Sequence, residues 1–129
     1  ARPPGPTGAD WSAKSGYPAG LDFARRPEVT AVFAANDQMA MGLMRSLHES
    51  GKSVPGDVSV AGFDNIAEAA YLDPPLTTVH QDFEVVGKHC FALLLDQIEG
   101  RTGGPRSGAV EPVLVVRSST VPPRPGALA

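Results

Sequence analysis

Hydrophobic and polar positions along the chain change period several times, and each change marks an element. Residues 30–34, TAVFA, form a short apolar run that reads as a buried strand, and Asn36 and Asp37 follow it at once. From Asp37 to Ser50 the period becomes helical: Ala40, Leu43, Met44 and Leu47 fall on one face, and Gly51 is placed to end the helix. VSVAGF (58–63) is the next strand, IAEAAY (66–71) a short helix, and LTTVH (76–80) a strand entered through a DPP turn. Asp82 is suited to cap a long helix reaching Gln97 or Glu99, with Val86, Cys90, Leu94 and Ile98 on its buried side. Upstream, SGYPAGLDFARR (15–26) predicts a helix with Ser15 near its cap and Pro18 in its first turn. VEPVLVVRSS (110–119) predicts a last strand after a glycine-rich loop, GRTGGPRSG (100–108).

Strands alternating with helices predict an α/β fold with an open, mostly parallel sheet and helices on both faces. Ligands of such sheets bind outside the carboxyl ends of the strands. That rule gives a reason for polar residues directly after buried strands: Asn36 with Asp37 stands at one carboxyl end, and Asp64 with Asn65 at the next. Prolines at positions 3, 4, 6, 122, 123 and 125 predict extended tails over 1–9 and 122–129, which leaves 10–121 as the folded region.

The chain has 129 residues, 42% hydrophobic and 19% charged, enough for one ordinary globular domain. A net charge of −3 argues against a nucleic-acid surface within these residues, because phosphate binding needs clustered Lys and Arg. A single cysteine, Cys90, excludes an internal disulfide and fits a reducing compartment; its helical position predicts a small core residue. The apolar run FALLL (91–95) is too short to cross a bilayer. ARPPGPTGAD at the start lacks the apolar core of a secretion signal and fits a fragment of a longer protein.

Asn36 carries an acceptor and two donors and Asp64 only acceptors, a pair able to grip neighbouring hydroxyls of a polyol. The alternative for Asn36 or Asp37 is a cap on the helix at 37–50, and for Asp64 a cap on the helix at 66–71. Trp11 can cover the apolar face of a sugar ring or serve as a buried structural residue. Catalysis finds little support. His48, His80 and His89 lack a partner at metal-site spacing, the adjacent His89 and Cys90 point in different directions on a helix, and no nucleophile elbow, P-loop or dinucleotide fingerprint is present. No metal or cofactor is expected. Met44 fits the helix core, whereas Met41, one step off that face, and Tyr71 with Leu72 fit contact with another chain.

AANDQMA, DVSVAGFD and PPLTTVHQDF, in that order and spacing, resemble the carboxyl-terminal part of the lactose-repressor (LacI/GalR) family of bacterial transcription regulators, with similarity from about Asp10 to Pro122. The resemblance implies a periplasmic-binding-protein-like core of two lobes, of which this chain carries most of the second lobe and the helix at 82–99 that crosses back to the first. It implies that Asn36 and Asp64 hold effector hydroxyls, that Trp11 packs on the sugar ring, and that Gln81 and Phe83 line the pocket. DWSAKSGY and QDF are closest to the lactose-repressor branch, which implies a galactoside or related glycoside effector. Asn65 departs from the second acid common in that branch. The helix at 37–50, with Met41 and Met44, and the segment 69–73, with Tyr71 and Leu72, are implied in a homodimer interface. The implied protein is cytoplasmic, not an enzyme, has no membrane partner, and reaches operator DNA only through an amino-terminal domain that these residues do not include. Effector binding between the lobes then acts by differential affinity for two lobe arrangements. The competing readings are a periplasmic sugar receptor, a doubly wound α/β enzyme and a bare dimerisation module.

Overall fold

A computed structural model of the chain describes residues 9–101 and 110–123. Its elements follow the order α1 (Ala13–Ala24), β1 (Ala31–Phe33), α2 (Asp37–Glu49), β2 (Ser59–Asp64), a 3-10 helix (Ala67–Tyr71), β3 (Thr77–His80), α3 (Phe83–Ile98) and β4 (Val113–Val115). The strands form one sheet in the order β1-β2-β3-β4; β1, β2 and β3 run parallel and β4 pairs antiparallel to β3. The open, mostly parallel α/β sheet is therefore present.

Ala40, Leu43, Met44 and Leu47 of α2 are all buried and meet Val58, Val60, Ala69 and Leu76 in one core cluster. Val32 pairs with Val60 in register and packs against the same cluster, so one face of the sheet is covered by α2. On the opposite face Phe33 is exposed and Ala61 and Phe63 are half-buried, and no helix of the described residues seals it. The carboxyl-terminal segment joins the strands through their main chain. The fully buried Ser119 hydroxyl donates to Val60 O (2.6 Å) and accepts from Thr77 N (2.8 Å), which ties β2 to β3.

Helix α2 ends as its sequence predicts, with Gly51 at φ +75°, a conformation glycine adopts without a Cβ penalty. Helix α1 begins earlier than predicted. Ser12, not Ser15, is its cap, accepting from Ser15 N at 3.2 Å, and Pro18 consequently sits inside the helix. Close approach of α1 to α2 depends on small residues: a Cβ at Gly16 would lie 2.1 Å from Met39 O, and one at Gly42 1.8 Å from Ala13 O.

Three expectations need correction. Met44 is 6% exposed and supports α2 from within the core, so it offers no contact surface to another chain. Helix α3 forms over the predicted span, with Asp82 capping Val85 N at 3.0 Å, but its apolar side is bare: Leu94 and Ile98 are exposed, Cys90 is exposed rather than a core residue, and Val86 is only half-buried. The periodicity correctly marks an apolar side, and none of the described elements packs extensively against it. Strand β4 is shorter than the 110–119 stretch, because Arg117 and Ser119 leave the ladder to bond Thr77 and Val60. Residues 102–109, which include most of the expected glycine-rich loop, and most of both expected tails lie outside the described residues. Among the described residues no helix is long and apolar enough to cross a membrane.

Candidate functional site

The sheet register brings the candidate residues to one edge. Asn36 follows the carboxyl end of β1, whose last pair is Phe33 with Ala61, and Asp64 is the carboxyl-terminal residue of β2, paired with His80 at the end of β3. Gln81, half-buried, and Phe83, exposed, follow directly from the end of β3. This is the carboxyl edge of the parallel strands, where open α/β folds bind ligands.

Backbone strain marks the same edge. Among the described residues, those other than glycine with positive φ are Trp11 (69°), Asp64 (108°) and Asn65 (53°). Such conformations cost on the order of 1–3 kcal/mol each and persist only where surrounding contacts enforce them.

The enforcing contacts are visible. Asn36, 8% exposed, accepts from Met39 N at 2.8 Å as the cap of α2 and donates through Nδ2 to Trp11 O at 3.0 Å. The capping role therefore holds, and the same amide also pins the loop ahead of α1. That loop is tightened further by Asp10, whose carboxylate accepts from the Ser12 hydroxyl (2.6 Å) and from Ser12 N (3.1 Å); these bonds hold the Asp10 carboxyl below the usual carboxylate range. Trp11 is 63% exposed, so it is not the buried structural tryptophan of the alternative reading.

Asp64 does not cap the 3-10 helix, which has no side-chain cap bond. Its carboxyl is pushed above the ordinary range, first by burial and then by the charge of Asp37. Asn65 is anchored from two sides: Arg117 donates to its Oδ1 at 2.8 Å while also holding Leu76 O at 2.7 Å, and its Nδ2 stands 3.4 Å from His80 Nδ1. A second acid at position 65 could still accept from Arg117 but would have no N–H to offer His80.

Thr78 and Arg117 are residues at this edge that sequence reasoning did not single out, and Asp37, which it placed at the end of β1, has bonding partners it did not foresee. Asp37 is fully buried, accepting from Thr78 Oγ1 at 2.6 Å and from Ile66 N at 3.0 Å. A usable signal existed for Asp37 alone, an acid directly behind a buried strand. A groove of about 570 Å³ lined by Ala13, Tyr17, Pro18, Met41, Gly42 and Arg45 lies elsewhere, between α1 and α2. Tyr71 is exposed and Leu72 half-buried against the core. Among the described residues no group of His, Cys, Asp and Glu is arranged to hold a metal ion.

Periplasmic binding protein-like domains match the chain over residues 2–120. The "HTH-type transcriptional repressor PurR" of Vibrio campbellii (strain ATCC BAA-1116) is 47% identical over 95 residues, which is 74% of this chain and 28% of that protein. The chain thus spans little more than a quarter of that relative's length. In three dimensions it is similar to a lac repressor dimer bound to operator and the anti-inducer ONPF, with TM-score 0.78 and 38% identity over 88% of this chain and 40% of that one. It is equally similar to a transcriptional regulator CelR in complex with cellobiose, with TM-score 0.78 and 40% identity over 86% of this chain and 34% of the other. Three sequence motifs in register, the open parallel sheet and these likenesses agree: the chain belongs to the periplasmic binding protein-like domains, within the LacI/GalR family.

Proposed function

We propose that the chain is the effector-binding and dimerisation part of a sugar-responsive transcriptional regulator that binds operator DNA through a separate amino-terminal domain. The observation that carries this reading is the gathering of Trp11, Asp64 and Asn65, all in strained conformations, at the carboxyl edge of the sheet. An exposed indole and an acceptor-only carboxylate suit a glycoside: the ring covers apolar C–H groups and Asp64 accepts from hydroxyls. Asn36 retains one amide hydrogen and one carbonyl lone pair beyond its two bonds, and Gln81 and Phe83 extend the pocket wall. The regulator CelR with its cellobiose and the lac repressor with its operator support the class of ligand and the destination of the signal.

In this reading the bare side of α3 packs on the first lobe as the helix crosses back to it. Met41 on α2, with exposed Tyr71 and neighbouring Leu72, meets a second copy of the chain. In the same reading the protein acts in the cytoplasm, where operator DNA is, and its response to the effector needs no catalytic step.

Titration of the regulator with galactosides, glucosides and free sugars, followed by the fluorescence of Trp11, tests the reading directly. As the only tryptophan in these residues it reports on the proposed site, provided those outside the chain are replaced. A saturable change with a glycoside, moved to higher ligand concentration but still measurable in Asp64→Ala, is the expected result. A response to a planar nucleobase and to no sugar would keep the site and overturn the ligand class.

A further inference from the structure

We infer that Asp37 and Thr78 are positioning residues that hold the turn after β2 in its strained form and so aim the Asp64 carboxylate at the ligand. The inference rests on the proposed effector site at Asp64 and adds the part of the protein that sets it. Two backbone amides follow Asp64, and both lead to Asp37. Ile66 N donates to Asp37 Oδ2 at 3.0 Å. Asn65 N donates to Thr78 Oγ1 at 3.3 Å, and the Thr78 hydroxyl in turn donates to Asp37 Oδ1 at 2.6 Å.

Asp37 and Thr78 are both fully buried, so water does not compete for these bonds. Residue 62 opens the path. A Cβ there would stand 2.2 Å from Asp37 Oδ1, so Gly62 is what lets the carboxylate lie against β2. The two oxygens of one carboxylate thereby bind the first turn of α2 to β3 and to the chain leaving β2. A carboxylate is suited to this because it is acceptor-only, matching two donors. An amide in its place would turn an N–H toward one of them. No ligand group is needed to satisfy Asp37, which separates its role from that of Asp64, a residue whose carboxylate has no hydrogen bond from this turn.

The test uses Thr78→Val, Thr78→Ser and Asp37→Asn in the intact regulator, with amide hydrogen exchange and glycoside affinity as readouts. In Thr78→Val, exchange at Asn65 and Ile66 rises while Val32 and Val60 stay protected, and affinity falls about tenfold, as expected for loss of a bond to a charged group. Thr78→Ser restores both. In an Asp64→Ala background Thr78→Val causes no further loss of affinity, because the two act through one contact. Asp37→Asn repeats the Thr78→Val pattern. The inference is overturned if exchange rises evenly across the sheet, if Asn65 and Ile66 keep their protection in Thr78→Val, or if affinity falls as much in the Asp64→Ala background. A wild-type regulator that binds no ligand removes the functional reading, and the exchange pattern at Asn65 and Ile66 still decides the role of Asp37.

Discussion

The Asn36 side-chain amide donates to the Trp11 carbonyl over 3.0 Å while its oxygen caps α2, so one residue joins the start of α2 to the loop that carries the exposed indole. The two functions separate by mutation. Asn36→Asp keeps the cap acceptor and loses the donor to Trp11 O, whereas Asn36→Ala loses both. Asn36→Asp should cost about 1 kcal/mol and Asn36→Ala about 2 kcal/mol in urea unfolding. Both should increase the mobility of Trp11, read as lower fluorescence anisotropy. Equal stability of the two variants would refute the double role.

Packing of α1 on α2 is set by glycines rather than by large apolar side chains. A Cβ at Gly42 would fall 1.8 Å from Ala13 O, a backbone atom that cannot swing aside. Gly42→Ala should therefore cost about 2–3 kcal/mol by overpacking and, since Ala13 opens α1 two residues after Trp11, should also weaken effector binding. Gly87→Ala is the control: it lies inside α3 with nothing within 4 Å of the new Cβ. There the helix gains by roughly 0.5–1 kcal/mol. Paired thermal melts distinguish the two sites.

Periodicity made α2 legible to the residue, because its apolar face meets a core the chain itself supplies: Ala40, Leu43, Met44 and Leu47 are all buried. The same reasoning found α3 and misjudged its surroundings. A pattern shows which side is apolar but not whether its partner lies within the chain, and Leu94 and Ile98 are exposed. At the candidate site, the strand ends identified Asn36 and Asp64 as polar groups at the carboxyl edge of the sheet. What they bond was not legible, since the Asn36–Trp11 and Asp37–Thr78 contacts join residues far apart in sequence and depend on sheet register. Positive φ at Trp11, Asp64 and Asn65 was equally hidden, for none is a glycine.

Phe91, Leu94 and Ile98 on α3 are 63%, 52% and 72% exposed, which makes this helix the test of the two-lobe arrangement. In the isolated chain, Leu94→Glu should leave stability within about 0.5 kcal/mol, as for a surface substitution. In a longer chain carrying the first lobe it should cost about 2 kcal/mol, the order expected for burying a leucine side chain. Amides of α3 should exchange quickly in the first protein and slowly in the second. Fast exchange in both would show that α3 does not dock on the first lobe.

Asp64 sets function against stability, and pH separates them. Burial and then the Asp37 charge raise its carboxyl above the ordinary carboxylate value, so the fold favours the protonated form. For a group raised on folding, the stabilising contribution is full below the unfolded value and is lost as pH rises through the folded one. At neutral pH the ionised Asp64 is therefore a net cost. Asp64→Asn removes the charge and should stabilise the fold at pH 7, with the gain shrinking as pH falls toward 4. Asp64→Gly should add roughly 1 kcal/mol more by relieving the φ of 108°, and that part should not depend on pH. Effector affinity should run the opposite way: hydroxyls donate to the ionised carboxylate, so binding weakens as pH falls through its raised value, and both variants bind more weakly at neutral pH. Urea unfolding and glycoside titration at matched pH values measure the two trends. A stabilising effect of Asp64→Asn that stayed constant down to pH 3 would mean that the charge of Asp64 is not its cause.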